Sequence, residues 1–289
     1  MCIRDRAGTR GLSVVGNGTD SKWRQVIMQW FVEKDIFPEN EEKLSQVLGD
    51  RLTFVRRQTL LTGIKTLDGS PVEQTGIFYG SIQLARHLQR SGFLSLLPDN
   101  NFDCSYWMPY FGTLALNYSH FYIEAGCFAS CIKTMGLDSV PFFVKQEKGY
   151  KHLNGHVYNN TTCSLVSEIL FPHELLMVAP ISTFGREFRF VVDENDNVIT
   201  YSEYSLDCNY SEPVPDSAVE FVKKTMQAIN YYPSNIWTLD ICEYPHKGSG
   251  QYRVVEPNSL LSSGWYNTDV EKIVNAVDKI VSEIPCSST

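Results

Sequence analysis

The stretch from Asn235 to Asn258, NIWTLDICEYPHKGSGQYRVVEPN, constrains the fold of this chain more than any other. Two apolar runs flank the turn-forming segment HKGSG, which is the pattern of a β-hairpin. Each run also carries an acid where a buried strand should be apolar. A buried carboxylate is costly unless something neutralises it. Strand side chains alternate between faces, so Glu256 and Asn258 point the same way with Pro257 between them. A turn centred near Gly248 sets Asp240 opposite Glu256, with Cβ atoms about 5 Å apart on one face. Two carboxylates in that position repel unless a proton or a cation lies between them. With the amide of Asn258 they form an all-oxygen donor set suited to a hard cation such as magnesium. The alternative is a solvated strand end, and a slip of one residue in the register would break the constellation. Pro257 lacks a backbone donor, so this strand should lie at an edge or end.

The rest of the chain supplies a frame for such a site. A helix is expected after residue 215, capped by Asp216. Another, from Thr268 to Ile284, should open on a Thr268…Glu271 capping box and carry Val270, Ile273, Val274, Val277, Ile280 and Val281 on one face. REFRFVVDENDNVITYSEY reads as a second hairpin turning at ENDN. The first half differs. QVIMQWF reads as a buried strand from Gln25, FPENEEKLSQVLGD as a helix ended by Gly49, and GIFYGSIQLARHLQRSG as strand, Gly-Ser turn and helix. That alternation is the mark of an α/β layer with ligand access at the strands' carboxyl ends. We therefore expect an α/β N-terminal domain over 22–135 and an α+β domain of antiparallel hairpins over 136–289. No fold is expected of residues 1–21, whose first residues, MCIRDR, resemble translated adapter sequence.

Net charge is −8, which argues against a broad nucleic-acid surface. No apolar run approaches the roughly 18 residues of a membrane span, and the first twenty residues lack the apolar core of a secretory signal. The eight cysteines form no C-x-x-C pair. Reduced thiols in a cytoplasm, with no membrane or nucleic-acid partner, are the expectation.

Other residues suit polyphosphate. Lys145 ends the apolar strand SVPFFVKQ, and Lys151 follows in a polar loop containing Gly149 and Gly155. Either lysine could be a solvated surface group; together they suit a polyanion. Lys148 lies near enough to compete with Lys151 for the second role. Glu187 and Arg189 alternate with Phe188 and Phe190 and share a strand face, either as a surface ion pair or as a site where Arg189 meets a phosphoryl group.

The ordered segments FFVKQ, KHLNG, LLMVAPI, EFRFVV, LDIC and VVEPNSLLSSGWY resemble the ATP-grasp superfamily, and most closely its clade named for one arginine and two lysines. The resemblance runs from about Val140 to Ile284, and FYGS resembles the N-terminal domain of the same clade. It implies an ATP-grasp fold of antiparallel sheets and helices, preceded by a smaller α/β domain. It also implies ATP and Mg2+ as cofactors. Lys145 and Lys151 would bind ATP phosphates. The backbone of Met177, Val178 and Ala179 would meet the adenine, and Arg189 the terminal phosphate. Gly155 and Glu187 would lie with these nucleotide contacts, and Asp240, Glu256 and Asn258 would hold the metal. The activity implied is a carboxylate–amine ligase working through an acyl phosphate, with Arg189 and Lys151 as catalytic residues. Its substrates would be a small-molecule or peptide carboxylate and an amine. The rival readings are an ATP-binding module without turnover and a metal-dependent hydrolase or nuclease.

Overall fold

The computed structural model describes residues 28–57, 64–72, 76–90, 101–137, 139–149, 153–158, 170–204 and 212–283. The expected strand residues 25–27, and Lys151, His152 and residues 205–211 of the expected binding loops, lie outside them.

Three four-stranded sheets organise the described residues. The first has the order β3-β2-β1-β4, from Ile64–Thr66, Leu52–Arg57, Trp30–Glu33 and Ile77–Tyr79. Strand β1 runs parallel to both β2 and β4, as α/β alternation requires. Helix α1, Pro38–Leu48, follows β1 and ends at Gly49, whose φ of 54° lies in the left-handed region that glycine enters freely. Helix α2, Ile82–Arg90, follows β4 through Gly80 and Ser81.

The central sheet has the order β10-β9-β11-β12, from Val198–Glu203, Glu187–Asp193, Ile236–Glu243 and Tyr252–Ser259. Both expected hairpins are present, and β12 is an edge strand, the kind of position in which a proline is tolerated. Asp240 does pair with Glu256. Helix α5, Asp216–Ala228, buries Ala218, Val222 and Met226 in one core with Phe188, Phe190, Leu239 and Ile241. Asp216 is the first helical residue rather than the cap; Pro215 holds the cap position without a side-chain bond.

The third sheet has the order β5-β8-β6-β7, from Phe121–Glu124, Leu175–Pro180, Phe142–Gln146 and His156–Tyr158. Strand β5 precedes the boundary expected near residue 136, so this sheet draws on both sides of it. Helices α3, Cys104–Phe111, and α4, Phe128–Thr134, flank the sheet's edge strand in sequence. The C-terminal helix α6, Val270–Glu283, returns to the first sheet: Val270, Ile273, Val274 and Val277 share a core with Trp30, Leu44 and Trp265. Asp269, not Thr268, caps it, accepting the Lys272 amide at 3.1 Å, while the Thr268 hydroxyl turns back to the Trp265 carbonyl. No helix among the described residues is long and apolar enough to cross a membrane.

Candidate active site

The central and third sheets face each other across a cavity of about 350 Å³. Strand alternation sets the third sheet's contribution. Phe143 and Lys145 of β6 point toward the cavity, while Phe142 and Val144 enter the sheet's other core. Met177 pairs with Lys145 and also lines the cavity. Val178 pairs with Val144 and faces that other core. Ala179 is buried opposite Phe143. Of the three residues expected at an adenine ring, Met177 alone borders the space.

Gly155 lines the same cavity just before β7. A Cβ there would lie 2.5 Å from the tip of the Phe143 ring. Gly155→Ala is expected to push that ring into the cavity, at a cost of about 1–3 kcal/mol in stability, and to weaken about tenfold the binding of the nucleotide that the sequence leads one to expect there. Thermal melting and calorimetry on the same sample check both.

Glu256 forms the facing wall, and its Oε2 accepts a hydrogen bond from Lys145 Nζ, 111 residues away in sequence. From there a connected polar set runs into the central sheet. Asn258 Nδ2 donates to Glu256 Oε1 at 3.0 Å and to Asp240 Oδ2 at 3.1 Å. Arg189 then grips Asp240 with two parallel bonds, Nε to Oδ1 at 2.7 Å and Nη2 to Oδ2 at 2.6 Å. Its remaining nitrogen, Nη1, donates to the Gly264 carbonyl. The guanidinium also lies 5.1 Å from the Tyr204 ring and 5.0 Å from that of Tyr266, a cation–π setting. Tyr266 takes a φ of 51°, a strained conformation for a non-glycine residue and one often found at functional positions. Burial pulls the guanidinium toward deprotonation, but the charge and hydrogen bonds of Asp240 outweigh it and hold the group above its ordinary value.

Two residues before Arg189, Glu187 stands opposite Cys242 on the same face. Burial, then the charge of Asp240, raises its carboxyl from the ordinary 4.5 to about 8, against the pull of Arg189 and Lys145. The folded chain thus keeps a proton that the unfolded chain releases, so stability falls as pH rises from 4.5 to about 8. Glu187→Gln is expected to flatten the stability–pH curve across that window, as measured by urea unfolding.

The structure also brings in residues for which the sequence carried no spatial signal. Lys148 Nζ reaches Asp103 Oδ2 at 2.7 Å, and the Gly149 amide donates to Asp103 Oδ1 at 2.8 Å. Asp103 thereby fixes the start of the Gly-bearing loop to the N-terminus of α3. Asp103 holds the cap position of α3 without a side-chain cap bond, and its lysine partner lies 45 residues away. Tyr204, which lines the cavity, had no sequence signal at all.

Residues 128–276, slightly more than half of the chain, match the second family of ATP-grasp domains in the clade named for one arginine and two lysines. This chain is a member of that family. The ATP-grasp fold extends beyond the matched segment. D-alanine–D-alanine ligase from Helicobacter pylori aligns over 89% of this chain and 100% of its own, at 14% identity and a TM-score of 0.57. D-alanyl-alanine synthetase A from Vibrio cholerae O1 biovar eltor aligns over 89% and 97%, at 12% identity and 0.53. A RimK domain ATP-grasp protein from Sphaerobacter thermophilus aligns over 88% and 98%, at 11% identity and 0.53. Identities this low speak for the fold alone. No curated protein sequence is significantly similar to this chain.

Proposed function

We propose that this ATP-grasp protein is an ATP- and Mg2+-dependent carboxylate–amine ligase acting on a small-molecule or peptide carboxylate. The observation that supports it most is the unbroken chain of contacts Lys145–Glu256–Asn258–Asp240–Arg189, which ends at the cavity between two sheets. A solvated strand end has no reason to assemble such a set.

The donors fit magnesium. Asp240, Glu256 and Asn258 offer two carboxylates and an amide oxygen, already joined by hydrogen bonds on one face. Amide nitrogen and oxygen exchange by a simple flip, so Asn258 can present either atom. Bound there, magnesium would neutralise phosphate charge and align the polyphosphate. The cavity would take the nucleotide, with Met177 and Phe143 beside the base and Lys145 at the phosphates. Lys151 would bind the phosphates as well, and Gly155 lines the same cavity. Arg189 holds Asp240 and adds positive charge to the same end. Nε, Nη1 and Nη2 each donate one hydrogen bond within the protein, so direct contact with the terminal phosphate would use the second hydrogen of Nη1 or Nη2.

In the reaction, a carboxylate oxygen bonds to the γ-phosphorus as the bond to the β,γ-bridging oxygen breaks, and ADP leaves. An amine nitrogen then attacks the acyl carbon. Phosphate departs, the nitrogen gives up a proton to solvent, and the amide remains. No protein nucleophile is needed; the chain positions the groups and stabilises the charge in transit. ADP release that requires both a carboxylate and an amine tests the proposal. ATP binding without turnover on a broad panel of both would favour a binding module instead.

A further inference from the structure

A strap of residues 113–120 runs between the edge strands β12 and β5 and precedes the segment matched by the family. Its start is fastened to β12. Arg253 Nη1 donates to the Thr113 carbonyl at 2.7 Å, Ala115 bridges Val254, and the Leu116 amide donates to the Val254 carbonyl at 2.7 Å. Its end meets β5, where the His120 ring packs edge-on against Tyr122 with centroids 5.0 Å apart. Tyr122 in turn pairs with Met177 and gives its hydroxyl to Met108 Sδ at 3.9 Å.

Between these anchors Asn117 lines the cavity of the candidate active site. Its carbonyl accepts from His120 Nδ1 at 2.9 Å, which ties the backbone down. Its side-chain amide is different: the residue is only partly buried, and the amide makes no hydrogen bond among the described residues. The cavity lining around the strap's anchors is apolar. Val255 follows the residue that Leu116 bonds, and Met108 and Met177 are the residues that Tyr122 meets. The other uncharged polar groups of the lining are placed differently. Gln146 is engaged by Glu174 and the Leu153 amide, Tyr204 stands against Arg189, and Asn154 is exposed.

We propose that Asn117 is the residue that reads the nucleotide's base, its Oδ1 accepting from the 6-amino group of adenine and its Nδ2 donating to the ring nitrogen beside it. The inference rests on the nucleotide site of the reading above. Apolar walls with one placed polar group suit a flat base, which is neutral and carries its donors and acceptors on its edge. An amide offers an acceptor and a donor side by side, the complement of an amino group next to a ring nitrogen. A strap fastened at both ends holds that amide in place before the nucleotide arrives, so little ordering is needed on binding.

The test compares ATP with purine riboside triphosphate, which lacks only the 6-amino group, by calorimetry in Mg2+ on the full chain. Wild type is expected to prefer ATP about tenfold, and Asn117→Ala by no more than about twofold, because the change weakens ATP and spares the analogue. Asn117→Leu, of similar size, should behave as Asn117→Ala does and serves in its place if the smaller side chain unsettles the strap. Losses equal for the two nucleotides would make Asn117 a structural residue and overturn the base contact. So would a preference for ATP that survives both changes, or a wild type indifferent to the amino group. A wild type that binds neither nucleotide overturns the ligase reading, and the base contact with it.

Discussion

Arg189→Met is expected to cost roughly 3–5 kcal/mol of folding stability, more than any surface change in the protein. Both members of the Arg189–Asp240 pair are almost fully buried, with side chains 3% and 1% exposed, so solvent does not screen what is lost. Removing the guanidinium leaves Asp240 with the Asn258 amide as its remaining hydrogen-bond donor among the pairs described above, and leaves the Gly264 carbonyl without its donor. Asp240→Leu alone should be comparably damaging, since it leaves the cation buried. The double change should cost much less than the two single changes added together, because neither charge then remains unpaired. Urea unfolding of the four proteins measures this coupling. Additive losses would mean that the pair does not act as a unit.

Glu256→Gln is expected to do the opposite: modest harm to stability, large harm to the site. The side chain keeps its shape, and both it and Lys145 remain partly exposed, at 18% and 17%, so Lys145 can turn to water. What disappears is one of the two negative donors proposed for a divalent cation and the group that fixes Lys145 at the cavity wall. Changes even to groups behind a metal's direct ligands cost about 10–100-fold in affinity, so losing a direct carboxylate should weaken Mg2+-dependent nucleotide binding at least about 100-fold. Magnesium titrations at fixed nucleotide measure it. Affinity that survives the change intact would return Glu256 to a purely structural role.

The opposition of Asp240 and Glu256 was legible from the turn, but the path to it was not. A turn centred on Gly248 predicts their pairing. Nearer the turn, however, the ladder runs one residue off, with Ile241 against Val254 and Glu243 against Tyr252. A bulge at Val255 then inserts one residue and restores the pairing where it matters. Counting reached the right partners by two offsets that cancel, because neither a bulge nor a one-residue change of turn leaves a mark in an apolar pattern. Helix starts were missed for a related reason. Thr268 and Asp269 both suit a cap, and the tertiary hydrogen bond of Thr268 to Trp265 decides between them.

The hairpins, the α/β alternation behind the parallel strands of the first sheet and the edge position of Pro257 followed from local rules. The long-range pairs did not. Lys145 meets Glu256 because the third sheet folds over the central one, and Lys148 meets Asp103 because the start of α3 lies against the end of β6; no spacing in the sequence encodes either contact. Arg189 is the sharpest case. Its strand face was readable from the alternation with Phe188 and Phe190. Its three bonds to Asp240 and the Gly264 carbonyl emerge only when β9, β11 and the turn after β12 come together.

On the proposed reading, the cavity between the two sheets binds ATP through a magnesium site at its end. Calorimetric titration of ATP into the wild-type chain, with and without Mg2+, decides it. One site per chain is expected, with affinity that rises markedly when Mg2+ is present. No binding, or binding indifferent to Mg2+, would contradict it.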